Sequence, residues 1–287
     1  MKSEYLRIIP RLDIKGPNLV KGIHFEGLRV LGKPERFARF YYENGADELF
    51  YQDAVASLYG RNSLLDIIKK TSSEIFIPLC VGGGLRSVDD IRKVLRAGAD
   101  KVALNTAVVK RPELITEASR AFGSSTILVS IEAIQHPDES YEANIDYGRE
   151  STGIDAVQWA RQAVDLGAGE LLVTSIDKEG TGTGYDIDLI NKIATAVSVP
   201  VIACGGCGDH SDIIAAVVDG HADAISMASI LHYYIIENQQ LFKDDDDFKV
   251  EGNIEFLQSK KQFKRVNPSK ITDIKAALNQ VGISCRI

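Results

Sequence analysis

The feature that most constrains this chain is that it repeats itself at half its length. VGGGL at 81–85 returns as ACGGC at 203–207, and LNTAVV at 104–109 returns as MASILH at 227–232. A strand end carrying Asp13 is answered by one carrying Glu132, at a similar spacing of roughly 120 residues. Two halves of this kind build one closed body, in which equivalent positions face each other across a shared axis.

The units within each half are short apolar strands followed by helix-length segments. Strands are expected at 6–13, 47–53, 76–81, 100–104, 126–132, 169–174, 200–204 and 223–227. Between them, Pro34–Asn44, Ser87–Ala97, Pro112–Phe122, Asp155–Leu166, Asp186–Val197 and Ser211–Asp219 read as helices, several opening on Pro, Ser or Asp. NGADELF, AGADKVAL, LGAGELLV and GHADAISM mark helix exits into strands, with glycine ending the helix. Eight such units predict a (βα)8 TIM barrel formed by one domain over 1–287. Residues 133–151 read as a hairpin excursion. Residues 235–267, with KDDDDFK, read as an insertion before a last helix, Pro268–Gln280, and the aspartate run as a solvated segment.

Composition removes several alternatives. The chain has 287 residues, 45% of them hydrophobic, enough for a large core, and a net charge of −7 that disfavours a nucleic-acid surface. Neither a membrane-length apolar run nor a signal-peptide pattern is seen, so a cytoplasmic setting is expected. The four cysteines form no disulfide framework, and Cys204 with Cys207 reads as small residues in a glycine turn. No cofactor or metal is expected.

Chemistry is expected at the C-terminal strand ends. A period of two puts Arg7, Ile9, Arg11 and Asp13 on one face of the first strand, spanning roughly 20 Å. Asp13 and Glu132 are the acid/base candidates, on opposite sides of the barrel mouth; a salt-bridged strand-end carboxylate is the plain alternative. Gly82, Gly83 and Gly84 precede a helix start at Ser87, and Gly205 with Gly206 repeats the arrangement, so each turn and its following helix end is a candidate anion cradle. Two cradles imply a ligand with a phosphate at each end. Asn105, Thr106 and Ser229 sit just after strands as further donors. Asp177, Glu179, Gly180 and Thr181 follow strand six on the same face and read as ligand-binding or loop-steering. Lys21, Phe25 and Arg29 lie on a long first loop read as a lid. At the other end of the barrel, Arg7, Glu48, Lys101 and Glu170 start strands with alternating charge and are expected to close a salt-bridged ring.

Taken together, RIIPRLDIK, VKG-x-x-F, ADELF-x-x-D, VGGGLRS, AGADKVALNTAVV, LGAGELL-x-TSID, GYD and VIA-x-GG resemble the cyclase subunit family of imidazole glycerol phosphate synthase over residues 5–234 and the last helix. The resemblance implies an enzyme, a lyase-type synthase, with a glutaminase partner docked at the barrel bottom. Ammonia would pass a four-charge gate (Arg7, Glu48, Lys101, Glu170) to a ribulosyl bisphosphorylated aminoimidazole carboxamide at the top. The catalytic pair falls on Asp13 and Glu132, the phosphate loops on Gly82–Gly84, Asn105, Gly205, Gly206 and Ser229, and the lid lysine on Lys21.

The departures are specific. The second catalytic aspartate is here Glu132, and D-x-D-G-T reads Asp177-Lys178-Glu179-Gly180-Thr181. A carboxylate displaced by about 1 Å can cost on the order of 10²-fold in rate. Position 11, usually a small cysteine, is Arg11, which points into the barrel and must be paired, with Asp13, Glu132 or both. Such pairing would lower the carboxylate pKa and favour a base. These changes resemble the family's paralogues associated with amidation of sugars for surface polysaccharide (lipopolysaccharide) biosynthesis, which work with a further amidotransferase. The alternatives are the histidine-biosynthesis cyclase itself, a phosphosugar isomerase on the same half-barrel fold, and a non-catalytic subunit that activates a glutaminase.

Overall fold

The computed structural model describes residues 5–54, 64–238 and 265–286. Eight parallel strands close on themselves: β1 (Arg7–Lys15), β4 (Leu49–Asp53), β5 (Leu79–Gly82), β6 (Lys101–Leu104), β7 (Ile127–Gln135), β10 (Glu170–Ser175), β11 (Val201–Cys204) and β12 (Ala224–Met227). Pairing of β1 with β12 and of β7 with β10 completes the ring, a (βα)8 barrel as expected. Around it lie α1 (Pro34–Glu43), α2 (Leu65–Ser72), α3 (Val88–Arg96), α4 (Thr106–Lys110), α5 (Glu113–Phe122), α6 (Ala156–Asp165), α7 (Ile187–Ala194), α8 (His210–Val218), α9 (Ser229–Glu237) and α10 (Ile271–Gln280). None of the described helices is long and apolar enough to cross a membrane. Most of the 235–267 segment, including KDDDDFK, lies outside the described residues.

The period-two pattern of β1 explains the two layers of core. Ile8, Leu12 and Ile14 turn outward into the layer shared with the helices, which also holds Phe37, Tyr41 and Trp159. Ile9 turns inward to meet Phe50, Cys80, Ala103, Leu128, Leu172, Ile202 and Ala224.

The repeated G-A-D exits have a structural reason. Gly45, Gly98 and Gly167 take positive φ at helix ends, while in GHAD it is His221, at φ 59°, that does so rather than glycine. In the three exits that carry an aspartate, it caps the start of a neighbouring strand; the exit at Gly167 has Gly169 in that place. Asp47 Oδ2 accepts from Ile8 N at 2.8 Å, Asp100 Oδ2 from Leu79 N at 2.9 Å, and Asp223 Oδ2 from Val201 N at 3.0 Å.

The first loop differs from expectation. It is a hairpin of β2 (Asn18–Ile23) and β3 (Glu26–Gly32), extending the C-terminal end of β1. The excursion after β7 is the equivalent hairpin, β8 (Tyr141–Ile145) and β9 (Glu150–Asp155). The half-chain repeat therefore extends to these hairpins. His24 and Phe25 at the first tip, and Asp146 and Tyr147 at the second, all have positive φ. Phe25 meets Tyr147 over the mouth, with ring centroids 4.3 Å apart.

Candidate active site

The lower end of the barrel is closed by charge. Arg7 Nη1 donates to Glu48 Oε2 at 2.9 Å, Lys101 Nζ reaches Glu48 Oε2 and Glu170 Oε2 at 2.9 Å each, and Arg7 Nη2 donates to Glu170. The four strand-start residues thus form an unbroken ring, as their alternating signs predicted. Burial pushes the Glu48 carboxyl up, against the pull of Lys101.

One layer above the apolar belt, Arg11 crosses the interior. It is 2% exposed. Its Nε donates to Asp13 Oδ1 at 2.9 Å, and Nη1 extends toward Thr174 Oγ1 (3.5 Å) and Cys204 Sγ (3.6 Å) on the opposite wall. The guanidinium lies over the rings of Phe25 (5.3 Å) and Phe50 (5.7 Å). Burial opposes this cation, but Asp13 and the neighbouring groups keep it firmly protonated.

Glu132 escapes that pairing. Its hydrogen bonds come from Asn105 Nδ2, at 3.1 Å to Oε2, and from the Gly148 backbone. Burial pushes its carboxyl up to about 7, and the Arg11 charge only moderates the rise. Of the partners expected for Arg11, Asp13 or Glu132 or both, it takes Asp13, and at Glu132 loss of water outweighs the charge across the lumen. A carboxyl near 7 at neutral pH both accepts and donates a proton, the condition for general acid/base work.

Glu132 lines a cavity of about 500 Å³, together with Gln52, Asp53, Gly83, Gly84, Asn105, Thr106, Ser130, Asp146 and Tyr147. Arg86, Lys110 and Arg111 line it as well, alongside the acids Asp53 and Asp146; Lys110 lies 3.4 Å from Glu150 and Arg111 2.9 Å from Glu117. A second cavity of about 20 Å³ is lined by Arg11, Lys21, Glu179, Gly180, Gly205, Gly206, Ser226 and Ser229. Asp13 is buried and lines neither.

Several expected site residues take other partners. Gly82 lines neither of these cavities; a Cβ there would lie 2.5 Å from Gln52 Oε1, so it serves wall packing. Asn105 turns its amide to Glu132 and to Asn144 O (3.3 Å) rather than outward. The Thr106 hydroxyl accepts from Asp146 N at 3.0 Å, which leaves its proton free to donate into the cavity. Lys21 is buried against Glu179 (3.0 and 3.1 Å) and Gly22 O (2.6 Å), so it is no exposed lid charge. Asp177 accepts from Gln135 N at 2.9 Å, and Thr181 bonds Lys178 O and Thr183, so both hold the loop together, outside these two cavities. The helix ends after the glycine turns are also occupied. Asp90 accepts from Arg86 N at 3.2 Å, and Asp212 accepts from Gly208 N at 2.7 Å. A carboxylate already holds those amides, whereas Gly83, Gly84 and Ser229 line the cavities.

The sequence reading missed Tyr147 and the basic trio Arg86, Lys110 and Arg111. The half-chain offset that relates the glycine loops also carries Phe25 onto Tyr147, a signal that dissimilar hairpin sequences obscured.

Comparison with known proteins agrees with this geometry. Residues 7–237 match the family model described as histidine biosynthesis protein. Three similar proteins carry the name imidazole glycerol phosphate synthase subunit HisF. That of Legionella pneumophila is 56% identical over 203 residues, covering 71% of this chain and 96% of the relative. That of Alkaliphilus metalliredigens is 47% identical, covering 79% and 90%. That of Methanocaldococcus jannaschii is 48% identical, covering 80% and 93%. These names favour the histidine-pathway alternative over the expected polysaccharide paralogue.

Proposed function

Because the chain belongs to the histidine biosynthesis protein family, we propose that it is a lyase-type cyclase subunit of the imidazole glycerol phosphate synthase kind. In this reading the single (βα)8 domain, with its insertion at 235–267, works in the cytoplasm beside a glutaminase. Ammonia enters past the Arg7–Glu48–Lys101–Glu170 ring and meets a phosphorylated ligand at the mouth. Glu132 exchanges protons with the ligand, Asn105 and the Gly148 amide orient it, and Asp13 acts from its pair with Arg11. The Gly83–Gly84 turn and Thr106 receive one phosphate, and Gly205, Gly206 and Ser229 the other.

The observation that carries the reading is the coexistence, in one barrel, of a closed charged ring at the lower end and a buried carboxyl titrating near 7 in a cavity lined by charges of both signs at the other. An isomerase of the same fold has no use for such a ring. The test is turnover of the ribulosyl bisphosphorylated aminoimidazole carboxamide with ammonium salt, and with glutamine once a glutaminase is added. Product formation with ammonium is expected; its absence sinks the proposal.

A second reading is favoured by one observation, the buried Arg11–Asp13 pair. A lumen narrowed by a guanidinium suits a different acceptor on the same machinery, such as a surface-polysaccharide sugar handled with a further amidotransferase. Complementation of a histidine auxotroph lacking the cyclase separates the two: growth at the normal rate defeats this second reading.

A further inference from the structure

The smaller cavity is walled by a cation and an anion that neutralise each other. Lys21 on β2 and Glu179 on the loop after β10 both line it, and they are 5% and 4% exposed. Lys21 Nζ donates to both carboxylate oxygens of Glu179, at 3.0 and 3.1 Å, and to Gly22 O at 2.6 Å. The backbone joins the same two segments. His24 N donates to Glu179 O at 3.0 Å, and His24 Nδ1 to Ile176 O at 2.8 Å. Gly180, at φ 73°, lies so close to the hairpin that a Cβ there would meet Gly22 O at 2.6 Å.

The space left between them is about 20 Å³, room for about one water. A phosphate does not fit, although Gly205, Gly206 and Ser229 line the same cavity. The larger cavity, at about 500 Å³, is open already. The other cation lining the smaller cavity, Arg11, is paired with Asp13, which lines neither. Lys21 differs, because its carboxylate partner faces the cavity itself. An arriving dianion therefore competes with Glu179 for one ammonium, and an uncharged group does not.

We propose that Glu179 is a specificity-determining residue: it holds Lys21 and keeps the second cavity shut until the far phosphate of a doubly phosphorylated ligand takes Lys21 from it. This rests on reading the two cavities as the seats of two phosphates. A ligand with one phosphate settles in the larger cavity and leaves the pair in place. Affinity for a bisphosphate is then reduced in proportion to the fraction of molecules in which the pair is closed.

The test is calorimetric titration of the full chain, Glu179→Gln and Lys21→Met with ribulose 1,5-bisphosphate and ribulose 5-phosphate, with melting curves to show that each variant is folded. Glu179→Gln frees the ammonium and should bind the bisphosphate at least about threefold more tightly. Lys21→Met removes the ammonium, leaves the carboxylate facing the cavity, and should bind it at least about threefold more weakly. Ribulose 5-phosphate should change by less than about twofold in both. A pair that only docks the hairpin predicts weaker binding by both variants, because both break it. Equal or weaker bisphosphate binding by Glu179→Gln, equal shifts for the two probes, or no bisphosphate binding by any of the three proteins overturns the proposal. Should Glu179→Gln not fold, Lys21→Met decides: a loss confined to the bisphosphate supports the proposal, and no loss overturns it. Failure of ammonium-supported turnover would count against the cyclase reading while leaving this binding comparison intact.

Discussion

Arg11 and Asp13 stand two residues apart on the inner face of β1, joined by a 2.9 Å Nε to Oδ1 bond with both side chains almost wholly removed from solvent. Neither charge would be tolerated there alone. Removing one partner leaves an uncompensated buried charge, which costs on the order of 3–5 kcal/mol. Arg11→Met and Asp13→Asn should each lower stability on that scale in urea denaturation. The double variant should lose clearly less than the sum of the two. Additive losses would mean that the pair is not coupled.

Glu132 makes stability depend on pH. Its folded carboxyl titrates near 7, well above the ordinary value of 4.5. The folded state thus holds its proton more tightly than the unfolded chain. The resulting stabilisation is complete below about pH 4.5 and is lost as pH rises through 7, a change on the order of 3 kcal/mol. Glu132→Gln removes the titration. Relative to the unaltered chain, the variant should gain stability between pH 5 and 8, and its ammonia-dependent activity should fall at least 10²-fold. A stability difference flat in pH would contradict the assignment.

At the lower end, Lys101 bridges Glu48 and Glu170. Lys101→Met leaves two poorly exposed carboxylates facing each other with only Arg7 between them. Because the lysine itself is about a fifth exposed, the expected loss is about 2 kcal/mol rather than the full buried value. The functional expectation is selective: glutamine-supported turnover should change several-fold, and ammonium-supported turnover much less. Equal changes with both nitrogen sources would detach the ring from ammonia delivery.

The second hairpin is organised by Glu142. Its carboxylate accepts from Ser151 Oγ, from Thr152 N (2.7 Å), from Gly153 N (2.6 Å) and from His136 Nε2 (2.7 Å). The Ser151 and backbone bonds pull its carboxyl down to about 2. This contribution is present above about pH 4.5 and is lost as pH falls through 2. Glu142→Gln should cost roughly 1–3 kcal/mol at neutral pH. It should also speed amide hydrogen exchange in 141–155 more than elsewhere; uniform exchange would refute a local role.

What the sequence determined by itself was periodic. Alternation of short strands with capped helices, the half-chain repeat and the sign pattern of Arg7, Glu48, Lys101 and Glu170 specify a closed barrel with charge at one end, since residues two apart share a strand face whatever surrounds them. What only the tertiary structure decided was the choice of partners and the degree of burial. Lys21 finds Glu179 across 158 positions of chain, Asn105 turns to Glu132, and Phe25 packs on Tyr147 only because two hairpins from opposite halves converge over one mouth. The raised carboxyl of Glu132 has the same origin. Desolvation is a property of everything packed around a group, and no local pattern records it.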